Sequence, residues 1–394
     1  MAQTIRKVAE KERRLIPEIY ANAYRVDPPE AERWARGTAL GDTRAIFEAG
    51  RIVSILQIHP YKIYVGGNQV TMGGIGGVAT RADRQGKGFA GSLMTDSLFQ
   101  MRERGFWTSI LYPFSYAFYR KFGWELCGLN YSYGEIRRDQ ILPAREKDLV
   151  HSTQAGREIG LLDPVYREFA VRHNLCVVRN GRMWKNRLSS IRRERGEVYV
   201  IRSGKKTTGY FFCIHKPLDF GYEASIREFA CLDEEAYKAF FGFLAQLPVQ
   251  VARISIFAPS SPLLWKYLKE PYAARTLVAP LLQFRVVDVR KAVEARGFPR
   301  DVSGRAVLAI RDETADWNAG PWELEIGDGK ARMKKTTLTP DFTCSIQAFS
   351  ELYSGHAAAD QLAADGKLKV RLQPRIPFLK NAFFGLTPHI LTWF

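Results

Sequence analysis

The sequence predicts an α+β protein made of two successive helix–strand–helix units and a third, smaller α+β segment. Three observations carry that prediction. A glycine-rich strand runs through a tight turn into a helix between Thr71 and Met94; the same order of elements restarts beyond Arg145; and the pattern changes again after Phe284, ending in an apolar tail. At 394 residues the chain exceeds what one core usually holds. The expected domains are 1–145, 146–283 and 284–394.

In the first unit, Glu10 to Ala23 reads as a helix with Leu15, Ile16, Ile19 and Tyr20 on one side, and Val26-Asp27-Pro28-Pro29 breaks it. A short helix from Glu30 to Arg36 carries Trp34. Thr43 to Glu48 and Arg51 to His59 read as strands around the turn Ala49-Gly50, and Tyr61 to Val65 and Gln69 to Met72 as strands around Gly66-Gly67-Asn68. Trp107 to Tyr112 reads as a buried strand. After it, Pro113 and Ser115 suit a helix start and Gly123 a helix end.

Between these strands lies Gly73-Gly74-Ile75-Gly76-Gly77-Val78-Ala79-Thr80, then Arg84-Gln85-Gly86-Lys87-Gly88-Phe89-Ala90-Gly91. Glycines in a strand admit close approach of a ligand, and a helix preceded by small residues offers free N–H groups and a positive dipole end to phosphate. A nucleotide P-loop needs Ser or Thr after the lysine, which is missing after Lys87. Gly86-x-Gly88-x-x-Gly91 fits a dinucleotide fingerprint, but it follows a long α/β segment and does not open a first βαβ unit. The spacing Gln85-x-x-Gly88-x-Ala90 resembles the Q/R-x-x-G-x-G/A signature of the GNAT acetyltransferases, whose loop holds the pyrophosphate of acetyl-CoA.

In the second unit Asp163 to Arg172 reads as a helix. Glu197 to Ser203, Thr208 to His215, Ser225 to Ala230 and Arg253 to Phe257 read as strands, Asp233 to Leu247 as a helix capped by Asp233, and Pro262 to Leu268 as a helix. No Gln-x-x-Gly-x-Gly stands between strand and helix here, which predicts a degenerate copy without its own CoA. In the third segment Arg305 to Asp312 and Trp322 to Ile326 read as strands around Asn318-Ala319-Gly320-Pro321. Phe349 to Gly355 and Ala357 to Asp365 read as helices. Termini usually fray, so an ending of His389-Ile390-Leu391-Thr392-Trp393-Phe394 predicts a packed tail.

Composition narrows the function. The content is 46% hydrophobic and 25% charged, with no apolar run long enough to span a membrane and no signal-peptide core at the start. The five cysteines are scattered without metal-ligand spacing, which suits reduced thiols in the cytoplasm and no metal site. The formal charge of +17 attracts anions such as CoA. Yet the basic residues are spread along the chain without a nucleic-acid motif, so no nucleic-acid partner is expected.

Taken in order, Val78-Ala79-Thr80, Arg84 to Gly88, Phe118-Tyr119-Arg120-Lys121-Phe122-Gly123 and the aromatic terminus resemble the enhanced-intracellular-survival (Eis-like) N-acetyltransferases over the whole chain. The resemblance implies two GNAT domains and a sterol-carrier-protein-like domain. It implies that acetyl-CoA is held by Val78 to Thr80 and Gln85 to Gly91, with Phe114 and Ser115 nearby. Tyr119 would be the general acid and the terminal carboxylate of Phe394 the general base. Polyamines, aminoglycosides or lysine side chains would be acetylated, and the assembly would be a homohexamer. Cationic substrates want carboxylates, and Asp27, Glu30 and Glu32 beside Trp34 are the candidates, with Trp393 on the substrate side. A lipid-carrier role of the third domain and a protein-lysine acetyltransferase are the competing readings.

Overall fold

The computed structural model describes residues 4–153, 156–260, 264–383 and 385–392. The chain forms two compact units, one from Met1–Cys127 and Leu282–Gly385, the other from Gly128–Leu281 and Leu386–Thr392. Its first third runs β1 (Ile5–Lys7), α1 (Ile16–Tyr24), α2 (Pro28–Gly37), β2 (Thr43–Glu48), β3 (Arg51–Val65), β4 (Asn68–Thr80), α3 (Phe89–Glu103), β5 (Thr108–Leu111) and α4 (Tyr116–Arg120). There follow β6 (Glu125–Ile136), β7 (Val150–Ser152), α5 (Glu158–Ala170), α6 (Gly181–Arg193), β8 (Glu197–Ser203), β9 (Lys206–Pro217), β10 (Tyr222–Cys231), α7 (Glu234–Ala245), β11 (Val251–Ala258) and β12 (Arg275–Val286). The last part holds α8 (Val289–Ala295), β13 (Gly304–Arg311), β14 (Gly320–Gly327), β15 (Lys330–Lys335), β16 (Phe342–Ser345), α9 (Ile346–Ser354), α10 (Ala359–Ala364), β17 (Leu368–Val370) and α11 (Ile376–Phe383).

In the first unit β1 to β4 pair antiparallel in chain order, β5 lies parallel to β4, and residues 283–286 of β12 pair antiparallel with β5. The strand that completes this sheet therefore comes from far downstream. The apolar face of α3, with Phe89, Leu93, Leu98 and Met101, packs on Leu56, Ile58, Ile75 and Leu111. The opposite face of the sheet is covered by Ile16, Ile19, Ala31 and Ala35 of α1 and α2, set on Ala45, Ile52 and Ile55. Each such large aliphatic side chain contributes about 1.5–3 kcal/mol by leaving water. A separate five-stranded sheet, ordered β15-β14-β13-β16-β17, carries α9 and α10, and α11 packs on those two helices. Its core includes Phe383, fully buried 5.4 Å from Phe298.

The second unit repeats the arrangement. Its strands β7 to β10 are antiparallel in sequence order, β11 lies parallel to β10, and residues 131–136 of β6 pair antiparallel with β11. Asp233 caps α7 as expected, its carboxylate accepting from Ala236 N at 2.8 Å. Phe229 stacks on Phe240 at 5.0 Å in the core beneath.

Several local expectations change. The strands expected on either side of Pro60 are one strand, β3, because past Gln57 it pairs with β4 alone and an open edge tolerates a residue without an N–H. Pro28 and Pro29 begin α2, where their missing donors cost nothing, under the cap of Asp27. Gly181–Arg193, to which the sequence assigned no element, is the helix α6, capped by Asn180. The expected helix from Pro262 to Leu268 is a 3-10 turn over Leu264–Tyr267, with 261–263 outside the described residues.

Candidate active site

The site is built where β4 and β5 part. Their parallel pairing runs from Met72 with Thr108 to Ile75 with Leu111, where β5 ends; β4 continues through Gly76, Gly77, Val78 and Ala79 to Thr80. Its other edge is bulged, since Gln57 pairs with Gly76 but Ile55 pairs with Ala79. Gly77 sits in the bulge at φ +59°, and a Cβ there would lie 2.8 Å from Gln57 Nε2, the group that donates to the Tyr20 hydroxyl at 2.7 Å. Only glycine meets both demands. The Val78 carbonyl accepts from the Tyr24 hydroxyl at 2.9 Å, a contact between positions 54 residues apart that no local sequence signal announces.

Beyond Thr80 the loop is held by its own neighbours. Ala82 N donates to Asn22 Oδ1 at 2.8 Å, Arg81 pairs with Glu18 and Asp83, and Arg84 with Glu48 at 2.8 Å. Gly86 and Gly88 follow at φ +78° and +79° with open space around the place of their missing Cβ atoms. Gln85 and Lys87 are exposed. Helix α3 starts from Gly88 with no side-chain cap and no acidic residue in its first turn. The N–H groups of Phe89, Ala90 and Gly91 thus face outward without an intrahelical acceptor, while Gly91 packs against Phe122, 3.1 Å from its would-be Cβ. A cradle of glycines ahead of an uncapped, acid-free helix end fits a pyrophosphate.

Across the opening, Ser115 is the N-cap of α4, its hydroxyl oxygen accepting from Phe118 N at 3.3 Å. Tyr119 is 2% exposed, with Phe114 and Phe118 edge-on at 5.2 and 5.0 Å. Burial, with a smaller push from the Tyr24 phenol, raises the Tyr119 pKa well above the usual phenol value. At neutral pH this group is a protonated donor. Phe114 is 71% exposed and stacks on Phe118 at 5.6 Å.

The segment bearing Tyr119 is fixed by side chains from downstream. Gln283 Nε2 donates to the carbonyls of Tyr116 and Trp124, both at 3.2 Å, and Gln347 Nε2 to that of Arg120 at 3.0 Å. Arg285 donates to the Phe122 carbonyl and pairs with Asp312 at 2.7 and 2.9 Å. Sequence reasoning missed Tyr24, Gln283, Arg285 and Asp312.

The expected substrate carboxylates have local partners. Asp27 accepts from Glu30 N at 2.8 Å, Glu30 lies 3.7 Å from Arg33, and Glu32 3.5 Å from Arg36. Trp34 stands 39% exposed, 5.6 Å from Tyr24 and 6.2 Å from Tyr20 by ring centroids. The expected packed tail is present over residues 386–392, held within the second unit. His389 N donates to Asn174 O at 2.8 Å and Asn174 N to Thr387 O at 3.0 Å, while Arg179 donates to Leu391 O at 2.9 Å and Thr392 Oγ1 at 3.2 Å. Trp393 and Phe394 lie outside the described residues, as does Phe384.

An opened parallel strand pair with a glycine cradle and an uncapped helix is the architecture of an acetyl-CoA N-acetyltransferase. The sequence matches the acetyltransferase (GNAT) domain over residues 4–127, a second acetyltransferase (GNAT) domain over 175–289 and the sterol carrier protein domain over 289–390. The fold is shared with a GCN5-related N-acetyltransferase from Anabaena variabilis (TM-score 0.89, 22% identity) and with Eis1 from Mycobacterium abscessus (TM-score 0.83, 20% identity), each alignment covering 100% of both chains. An uncharacterized N-acetyltransferase of Streptomyces avermitilis is 25% identical over 353 residues, 83% of this chain and 82% of that one. N-acetyltransferase Eis of Mycobacterium tuberculosis is 29% identical over 167 residues, 42% of this chain and 40% of that protein. The chain thus carries two GNAT acetyltransferase domains followed by a sterol-carrier-like one, and it is similar to the Eis N-acetyltransferases. Among the described residues no helix is long and apolar enough to cross a membrane.

Proposed function

We propose that the chain moves the acetyl group of acetyl-CoA onto a primary amine of a polyamine- or aminoglycoside-like acceptor. In this reading the pyrophosphate rests on Gln85 to Gly91, and Val78, Ala79 and Thr80 on the open edge of β4 accept the pantetheine. The exposed Phe114 ring flanks the entrance. The amine attacks the thioester carbonyl directly, the tetrahedral adduct collapses, and Tyr119 gives its proton to the departing thiolate. The Phe394 carboxylate is the general base. Reference values of about 3.5 and 10.4 make direct transfer from an ammonium uphill by roughly 9 kcal/mol. Solvent therefore takes the first proton and Phe394 the second, from the adduct.

The observation that supports the reading is the buried Tyr119, its pKa raised by burial and by the Tyr24 phenol, whose hydroxyl donates to Val78 O beyond the end of the β4–β5 pairing. With Asp27, Glu30 and Glu32 engaged locally, recognition of the cation falls to the aromatic faces of Trp34 and Tyr24. The fully buried Phe383 fills the third domain's core, which favours an enzyme over a lipid carrier. Domains of 1–145, 146–283 and 284–394, a cytoplasmic location and a homohexamer belong to the same reading.

The test is thiol release from acetyl-CoA over polyamines, aminoglycosides and lysine peptides. Tyr119→Phe is expected to cut turnover at least 100-fold with CoA affinity nearly intact, and a tag after Phe394 to abolish activity. Release with lysine peptides alone would make the protein-lysine reading correct, and no release with any amine would overturn the proposal.

A further inference from the structure

The geometry assigns Asp312 and Gln347, both in the sterol-carrier-like domain, as positioning residues for Tyr119. This rests on the reading of Tyr119 as the acid. Helix α4 has five residues, too few to hold its own shape, so its place must come from tertiary contacts. Of the side chains that bond its backbone carbonyls and those of the turn after it, Gln283 and Arg285 belong to β12 and Gln347 to α9.

Arg285 is the central link. Its side chain and that of Asp312 are 0% and 1% exposed, and it lies 5.4 Å over the Trp124 ring. Asp312 is itself oriented by its own domain, accepting from Asn318 Nδ2 at 3.0 Å and from the N–H groups of Ala315 and Thr314 at 3.1 and 3.2 Å. The turn after α4 is shaped to receive the guanidinium. Gly123 takes φ +90°, and a Cβ there would stand 1.4 Å from Arg285 Nη1. Among the described residues Gln283 Oε1 and Arg285 Nε are buried without a hydrogen-bond partner. Side chains selected for packing alone would not leave polar atoms unmet, whereas a pair held to three particular carbonyls, two by Gln283 and one by Arg285, would. The line from Asp312 through Arg285 to Phe122, together with Gln347 on Arg120, thus sets the height and tilt of the phenol.

The test is a double-mutant cycle on the full chain, using the amine that the panel above shows to be acetylated fastest. Asp312→Asn is expected to lower kcat at least tenfold while KM for acetyl-CoA stays within twofold, and Asp312→Glu to recover part of the loss. In a Tyr119→Phe background the same substitution should cost less than twofold, because no acid remains to be placed. Gln347→Ala lies at the surface and leaves the buried pair intact; it should lower kcat about threefold, again only when Tyr119 is present. Should Asp312→Asn fail to fold, the Gln347 cycle decides. Equal losses in both backgrounds would overturn the proposal and leave the acid reading standing. Full activity of Tyr119→Phe would instead overturn the acid reading and this inference with it.

Discussion

Replacing Glu228 by alanine should loosen the C-terminal tail, and the structure allows the size of the effect to be worked out. Glu228 is 0% exposed and accepts four bonds, from Arg179 Nη1 and Nη2 at 2.6 and 3.0 Å, the Tyr210 hydroxyl at 2.6 Å and Arg187 Nε at 3.1 Å. Burial alone would push its carboxyl pKa up, but the guanidinium groups of Arg179 and Arg187 outweigh that and hold it below the usual range. Removing it strands Arg179, 4% exposed between the rings of Tyr166 at 4.2 Å and Trp184 at 4.6 Å, without a counter-charge. Breaking such a buried pair costs about 3–5 kcal/mol, a large part of the roughly 5–15 kcal/mol that holds a domain folded. Arg179 also bonds Leu391 and Thr392, so the tail should open with it. Hydrogen exchange at His389 and carboxypeptidase release from the chain end read this directly. Unchanged protection of residues 386–392, with a stability loss under about 1 kcal/mol, would refute the reasoning.

Two further outcomes are expected. Burial, reinforced by His173, holds the His389 imidazole down at about 3. Between the ordinary value near 6.5 and that one, the detached tail binds a proton that the packed tail refuses. The packed tail is therefore fully stable above about pH 6.5 and loses up to about 5 kcal/mol as pH falls toward 3. Carboxypeptidase release should rise on acidification and flatten in His389→Phe; a pH-independent wild-type rate would contradict this. Gly77→Ala forces a left-handed backbone costing about 1–2 kcal/mol and pushes on Gln57. It should raise KM for acetyl-CoA more than kcat, as measured by steady-state kinetics.

What was legible in the sequence was local. The glycine cradle, the Ser115 and Asp233 caps and the Gly355 helix end, at φ +76°, all depend on a few neighbouring residues. Helix α6 was hidden because Trp184, Leu188 and Ile191, its buried stripe, are few and sit among many basic residues. The strands β6 and β12 were not legible, because their partners lie far away along the chain. The same holds for Tyr24 on Val78 and for Arg285 between Phe122 and Asp312. Such pairs join residues whose neighbours in sequence carry no trace of the contact. The Tyr119 segment could be located from its aromatic spacing, but its restraints could not.

The late arrival of residues 283–286 at the edge of β5 bears on how the protein is made. During synthesis β5 leaves the ribosome with one edge bare, and its partner is translated on the order of ten to thirty seconds later at about 5–20 residues per second. Until then the nascent first lobe presents an unsatisfied row of amides and carbonyls to anything extended nearby, the condition that invites misassembly and chaperone attention. A fragment truncated after residue 145 would keep that vacancy permanently, so expression of the isolated lobe should yield aggregates where the intact polypeptide yields soluble enzyme.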